Sequence, residues 1–170
     1  MTAHSTLIDR HERRWILISA ALLASFAVLI GIAGFALGVQ VPTLDRRVDP
    51  KKLNEDPMWS KPGVRELVPG RKYEVYLIAQ TWQFVPREIV VPAGAKVTFY
   101  VTSRDIQHGF KVLDTDLNVQ VIPGYVGKLS YTFKEPGEYK FICTEYCGLG
   151  HAAMSGVIKV VPPEEYTGSQ

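Results

Sequence analysis

The sequence predicts a mainly β protein, a Greek-key β-sandwich tethered by one N-terminal transmembrane helix. Two observations predict this class. One uncharged apolar stretch near the N-terminus is long enough to span a bilayer. After it, short runs rich in β-branched and aromatic residues alternate with turns that contain proline or glycine. The 170 residues therefore divide into a membrane anchor and one folded domain.

The anchor is predicted over residues 15–40, after a short N-terminal segment, 1–14. Residues 15–40 carry no charged side chain, and about 20 apolar residues are enough to cross a bilayer. A cleaved signal sequence is the main alternative, but its apolar core spans only about 7–15 residues. Gly34 and Gly38 form a small-xxx-small pair, which would let another helix approach closely.

The next segment, 41–70, is predicted to be a proline-rich linker. It holds five of the eleven prolines of the chain, and such segments are mostly extended. The folded domain is predicted over 71–163, followed by a C-terminal tail, 164–170. Because the net charge of the chain is only +2, the domain has no large basic field of the kind that nucleic-acid-binding proteins use.

Seven strands are predicted in the folded domain. Along residues 96–103, Val97, Phe99 and Val101 point to one face, and the residues between them to the other, which indicates a strand with one buried face. No segment after the anchor has a helical period. The other six predicted strands are 72–82, 88–91, 117–122, 128–133, 138–142 and 155–161.

The residues that could bind a metal form one pattern. After the anchor, the sequence contains two histidines, two cysteines and two methionines. Five of these six residues fall in two predicted loops, one after strand 96–103 and one after strand 138–142: His108, Cys143, Cys147, His151 and Met154. Thiolate, thioether and imidazole together favour copper over magnesium, calcium or manganese.

A blue-copper centre uses one cysteine, two histidines and a weakly bound methionine, which would leave one cysteine here without a role. Two thiolates four residues apart could instead each bridge two metals, with one terminal imidazole and one weak axial donor on each. Met154 would supply one axial donor and a loop carbonyl the other. Two alternatives remain open: a Cys143–Cys147 disulfide in a structural domain, and a Cys₂His₂ zinc site.

The spacing resembles the CuA motif of cytochrome c oxidase subunit II. The residues that carry this resemblance are Cys143-x-Glu145-x-Cys147-x-x-x-His151-x-x-Met154, with His108-Gly109-Phe110 upstream. The resemblance extends from the membrane helix to about Val161, and the single anchor helix resembles the B-type (ba-type) heme–copper oxidases. It implies a cupredoxin-like sandwich that holds two copper ions in a dinuclear CuA centre.

The same resemblance implies a role for each site residue. Cys143 and Cys147 would bridge both coppers. The other four donors would complete the two coppers in pairs: His108 with Met154, and His151 with the backbone carbonyl of Glu145. In families with a magnesium site at the subunit interface, the carboxylate at the Glu145 position binds that ion, so a magnesium site stays open.

Trp82 lies where the family places an aromatic residue through which electrons enter. The alternative for Trp82 is a core position at the end of a strand. The choice decides whether this indole serves electron transfer or only packing.

The resemblance implies an electron-transfer subunit of an oxidoreductase complex of the respiratory chain, one that also translocates protons. Cytochrome c or another small donor would deliver single electrons, and heme in the catalytic subunit I would receive them and reduce oxygen to water. The copper domain would lie outside the cytoplasm of a prokaryotic cell, with the N-terminus inside. A membrane-anchored copper delivery or storage protein and the CuA subunit of a nitric-oxide reductase are the alternative functions.

Overall fold

The computed structural model describes residues 3–37 and 43–168, which belong to two compact units. The first unit contains one helix, α1 (Ala3–Phe35). Its stretch Asp9–Phe35 is long and apolar enough to cross a membrane. The helix begins before the predicted residue 15 and ends before residue 40, while Gly38 of the predicted glycine pair lies outside the described residues.

The described part of the second unit contains eleven strands and three short 3₁₀ turns. The strands are β1 (Thr43–Arg47), β2 (Gly63–Val68), β3 (Lys72–Gln80), β4 (Gln83–Val85), β5 (Glu88–Pro92), β6 (Lys96–Ser103), β7 (His108–Val112), β8 (Asn118–Val121), β9 (Tyr125–Thr132), β10 (Gly137–Ile142) and β11 (Ser155–Val161). The 3₁₀ turns are Pro50–Lys52, His151–Ala153 and Pro163–Glu165.

These strands form two sheets that pack as a sandwich. One sheet has the order β1-β9-β6-β3-β2, with β4 added to the end of β3. The other has the order β5-β11-β10-β7-β8. Most neighbours are antiparallel, but β3 with β6 and β5 with β11 are parallel. The predicted mainly β Greek-key sandwich is confirmed, and each of the seven predicted strands is present, two with the predicted ends and five with slightly different ones.

The core between the sheets is built on contacts among phenylalanines. Phe84 and Phe110 both pack against Phe141, with ring centroids 5.2 and 5.4 Å apart, and Phe99 lies 5.7 Å from Phe110. These rings come from both sheets, and all four are buried. Since the burial of aromatic side chains dominates the stability of such cores, this cluster fixes how the two sheets stack.

Segment 41–70 was predicted as an extended linker, but its described residues are part of the sandwich. β1 pairs with β9, and β2 pairs with β3, so both strands extend the larger sheet. Between them, Leu53 and Trp59 are buried. Prolines here can stand at the ends of short elements, as Pro50 does at the start of a 3₁₀ turn. A high density of prolines is therefore compatible with a folded segment.

Leu53 and Trp59 cover the outer face of the larger sheet. There they pack in a second cluster with four strand residues: Tyr76, Ile78, Tyr100 and Val126. Arg65 lies over the Tyr76 ring, 4.3 Å from its centroid, and donates a 2.8 Å hydrogen bond to the Met58 carbonyl. β6 was expected to bury one face only, but this cover buries its other face as well.

The predicted C-terminal tail also packs on the domain. Tyr166 meets the buried Tyr73 ring edge to face, with centroids 5.2 Å apart. Burial first, and then the hydrogen bond to Glu66, raises the pKa of Tyr73. This phenol therefore stays protonated at neutral pH and donates to the Glu66 carboxylate at 2.7 Å.

We predict that Leu53→Ala lowers the free energy of unfolding of the second unit by about 2–5 kcal/mol, because it empties a fully buried site. Leu67→Ala is the matched control, since Leu67 is more than half exposed, and should change this free energy by less than about 0.5 kcal/mol. Chemical unfolding followed by near-ultraviolet circular dichroism measures both. Equal effects of the two substitutions would contradict the packing of residues 48–60 on the sheet.

Candidate metal centre

Three loops meet at one end of the sandwich. Parallel β3 and β6 end side by side, with Ala79 paired to Ser103, so the β3–β4 turn and the β6–β7 loop lie next to each other. β10 runs antiparallel to β7, with Ile142 opposite Lys111, so the chain after Ile142 continues alongside β7 toward its first residue. The long β10–β11 loop therefore begins near His108, the first residue of β7. His108 was predicted in a loop, and its place in a strand explains its fixed position.

This arrangement brings together all the residues that sequence analysis selected as metal ligands. The Sγ atoms of Cys143 and Cys147 lie 3.8 Å apart. His108 Nδ1 lies 3.8 Å from the Cys143 sulfur, and His151 Nδ1 lies 3.6 Å from the Cys147 sulfur. The remaining two donors are Met154 Sδ, 3.7 Å from Cys147 Sγ, and the Glu145 carbonyl oxygen, 3.2 Å from Cys143 Sγ.

Both cysteines are free thiols. Their sulfur–sulfur distance of 3.8 Å far exceeds the ~2.05 Å of a disulfide bond. Burial, and then the neighbouring Cys143 thiol, raises the pKa of Cys147 to about 11. Cys147 is therefore protonated at neutral pH in the metal-free chain, and a metal that binds there must displace its proton.

The donor cluster is sheltered from solvent. His108, Cys143, Cys147 and Met154 are all buried, and His151 is half-buried. Donor atoms of His108, Cys143 and Cys147 lie within 4.8 Å of one another. Buried thiols and imidazoles without a carboxylate among them form a soft, water-poor site, which suits copper or zinc better than magnesium or calcium.

Close backbone packing holds the β10–β11 loop against β7. The Cys143 N–H donates to the Met154 carbonyl at 3.1 Å, which closes the loop at its base. A Cβ atom on Gly109 would lie 2.9 Å from the Thr144 nitrogen and 3.0 Å from the Glu145 nitrogen. Only glycine therefore allows β7 to approach the loop this closely, which explains the glycine after His108.

Trp82 lies in the β3–β4 turn and leans on the same loop. The residue is 45% exposed, so Trp82 does not occupy the core position that was the alternative for it. The indole Nε1–H donates to the Cys147 carbonyl at 2.8 Å. The ring rests on two loop glycines, and a Cβ atom on Gly150 would lie 2.5 Å from the indole Cγ. Because Gly148 and Gly150 have no side chains, the exposed aromatic ring packs directly against the backbone of this loop.

Asp105, in the β6–β7 loop, was not among the selected site residues. One carboxylate oxygen lies 2.9 Å from His108 Nε2, and the other accepts hydrogen bonds from the Thr81 N–H and hydroxyl. Burial acts to raise the pKa of Asp105, but the hydrogen bonds from His108 and Thr81 outweigh it and lower the pKa to about 2. An aspartate three residues before a candidate histidine ligand is the sequence signal that could have identified it.

Glu145 presents its two polar groups to different surroundings. Its backbone carbonyl belongs to the donor cluster, whereas its half-buried carboxylate accepts a 3.4 Å hydrogen bond from Gln107 Nε2. The carboxylate is thus outside the group of thiols and imidazoles. A magnesium site at Glu145 remains a prediction.

Comparison with known proteins identifies the family to which this chain is similar. The model of the cytochrome c oxidase subunit II periplasmic domain matches residues 68–161. A cytochrome c oxidase subunit 2 of Thermus thermophilus is 40% identical over 161 residues, which cover 93% of this chain and 95% of the relative. A second Thermus thermophilus protein of that name is 45% identical over 115 residues, or 67% of this chain and 85% of the relative.

Solved structures agree with this assignment. A chain of a heme–copper terminal oxidase dimer is 33% identical, has a TM-score of 0.75, and is matched over 88% of this chain and 99% of its own length. The periplasmic domain of cytochrome oxidase subunit II from Bradyrhizobium japonicum is 23% identical, with a TM-score of 0.51 over 54% of this chain and 86% of that domain, and shares the cupredoxin-like fold. Because the relatives match along nearly the whole chain, both anchor and sandwich, this chain belongs to the cytochrome c oxidase subunit II family.

Proposed function

We propose that this chain is the electron-accepting, non-catalytic subunit of a heme–copper oxidase and that it holds two coppers in a dinuclear CuA centre. The observation that carries this proposal is the pair of free thiols 3.8 Å apart with one imidazole nitrogen beside each sulfur. One-copper sites of the blue type use a single cysteine, so two adjacent thiols favour two bridged metals.

The six donors would divide between the two metals. Cys143 and Cys147 would bridge them, His108 and Met154 would complete one copper, and His151 with the Glu145 carbonyl would complete the other. When bound, the copper pair would supply one-electron redox chemistry, with the charge spread over two metals and two sulfurs. The residues around it are already buried and held by backbone contacts, so little rearrangement is needed when the charge of the site changes.

Trp82 is the residue through which electrons would enter. Its exposed side chain can contact an electron-donating protein. Its Nε1–H is hydrogen-bonded to the carbonyl of Cys147, one of the residues that would bridge the metals. This contact joins the protein surface to the donor cluster through one indole and one hydrogen bond. By the family resemblance, the half-buried His151 would lie on the side from which electrons leave.

The surface around these loops is apolar and suits a docking protein. Leu149 is 94% exposed and Tyr146 is 79% exposed, and both belong to the β10–β11 loop. Trp82 and Ile106 add further exposed apolar area from the two neighbouring loops. Since large exposed apolar side chains in one place mark interaction sites, we assign this surface to docking of cytochrome c or a similar small electron donor.

The remaining assignments follow from the family. Electrons would pass to heme in the catalytic subunit I, where oxygen would be reduced. The apolar helix α1 would anchor the chain in a prokaryotic cell membrane, with the N-terminus in the cytoplasm and the copper domain outside. The carboxylate of Glu145 would be available to a magnesium ion at the subunit interface.

The test is to load the full chain, in detergent micelles, with copper and to measure copper per chain and the electron paramagnetic resonance spectrum. Two coppers with one unpaired electron shared over both nuclei is the expected result. One copper with a signal from a single nucleus would favour the copper-delivery function, and a chain that binds only zinc or no metal would contradict the proposal. Co-purification with a heme subunit, assayed with oxygen and with nitric oxide, then separates the two oxidoreductase functions.

We predict that Trp82→Leu slows reduction of the copper-loaded chain by a reduced soluble c-type cytochrome at least about tenfold, because it removes both the ring and the hydrogen bond to Cys147. Trp82→Phe keeps an aromatic ring without the N–H donor and should lie between Trp82→Leu and the parent chain. Stopped-flow absorbance measures the rates. If Trp82→Leu were reduced as fast as the parent chain, electrons would not enter through Trp82.

We also predict that Leu149→Glu lowers the second-order rate constant for reduction by the same cytochrome about tenfold, as loss of a central apolar contact costs about 1–2 kcal/mol. Leu67→Glu adds the same charge on β2, away from the three loops, and serves as the matched control. Its rate constant should change less than twofold. Equal losses in both variants would point to a general charge effect and not to docking at Leu149.

A further inference from the structure

We propose that Asp105 is a positioning residue that ties the Trp82 turn to the imidazole of His108. One carboxylate would thereby hold the residue that accepts electrons and a metal ligand in a single fixed geometry. This inference rests on the proposed function for its consequence in electron transfer, but the connection itself exists in the metal-free chain.

The two oxygens of the Asp105 carboxylate serve different loops. Oδ1 lies 2.9 Å from His108 Nε2 and also accepts a 2.7 Å hydrogen bond from the Ile106 N–H, within the β6–β7 loop. Oδ2 accepts from the Thr81 N–H at 2.7 Å and from the Thr81 hydroxyl at 2.8 Å, both in the β3–β4 turn. The two hydrogen bonds from Thr81 therefore join the β3–β4 turn to the β6–β7 loop, and the contact with His108 joins this loop to the first residue of β7.

The contact with Oδ1 selects one form of the His108 ring. His108 is fully buried, so water does not compete for its nitrogens. A carboxylate only accepts hydrogen bonds, which requires the proton on Nε2. The lone pair of Nδ1 then faces the Cys143 sulfur, 3.8 Å away, as a metal ligand would require.

The hydrogen bonds to Oδ2 hold the β3–β4 turn in place. Thr81 directly precedes Trp82, whose indole is bound to the Cys147 carbonyl at 2.8 Å. The connections therefore close a ring around the donor cluster, from Asp105 through Thr81 and Trp82 to Cys147, and back through Cys143 and His108. Removal of the carboxylate opens this ring at two points, the contact with His108 and the hydrogen bonds from Thr81.

The negative charge also acts on the ligand. A carboxylate that accepts the Nε2 proton makes Nδ1 of the same ring a more basic donor. A more basic donor stabilises the oxidised, more positive state of a bound metal. Loss of Asp105 should therefore raise the reduction potential of the copper-loaded site, besides loosening the Trp82 turn.

The test compares Asp105→Ala, Asp105→Asn and Thr81→Val with the control Asp116→Asn, which removes an exposed carboxylate from the β7–β8 turn. The full chain is studied in detergent micelles, first reduced and metal-free, by nitrogen-15 NMR of the His108 ring. We expect Asp105→Ala to speed exchange of the Nε2 proton about 10–100-fold, as for loss of a hydrogen bond to a charged group. Thr81→Val should leave the His108 ring unchanged.

In the copper-loaded chain, we expect Asp105→Ala to raise the reduction potential and to slow reduction by the c-type cytochrome, whereas Asp116→Asn changes neither. Asp105→Asn can accept from His108 but then turns its amide donors toward Thr81, so it should retain the parent ring tautomer while it loses part of the reduction rate. An Asp105→Ala chain with parent proton exchange and parent potential would overturn the inference. Absence of a two-copper signal in the parent chain would overturn the proposed function, and the NMR result would still decide the role of Asp105.

Discussion

Two thiols, 3.8 Å apart and shielded from water, set the demands that the surrounding structure meets. Two free thiols this close in a buried site must be packed by neighbouring residues that keep solvent away from them. Burial raises the pKa of Cys147 to about 11, so this thiol stays protonated at neutral pH in the metal-free chain. The loop that carries them is held at its base by the Cys143–Met154 backbone hydrogen bond and pressed against β7 at Gly109.

The same loop serves the surface as well as the interior. Its cysteines and Met154 point inward, while Tyr146 and Leu149 are left exposed beside the Trp82 indole. Large apolar side chains that are exposed together mark interaction sites, which supports the docking role that we propose for this surface. The candidate metal site and the proposed docking surface belong to the same loop, which favours the electron transfer that we propose.

The end of the sandwich that carries the candidate metal site is held in place by the packing of the two sheets. The phenylalanine cluster fixes the stacking of the two sheets, and the segment around Leu53 and Trp59 covers the outer face of the larger one. β3 and β6, which lead into the Trp82 turn and the Asp105 loop, are therefore packed on both faces. Loops that leave strands held in this way have few alternative positions, which favours a site whose donors move little.

The sequence by itself determined the class of the fold, a helix long and apolar enough to span a membrane, and the candidate metal ligands between Cys143 and Met154. Apolar length predicts the helix, strict alternation predicts strands, and the spacing from Cys143 to Met154 lies within one loop, so all three signals are local along the chain. Tertiary structure alone decided what the proline-rich segment does, because the burial of Leu53 and Trp59 depends on a sheet face formed by residues far away in sequence. It also decided the roles of Asp105 and Gly150, since a carboxylate between two loops and a glycine under an indole are defined only by what lies across from them.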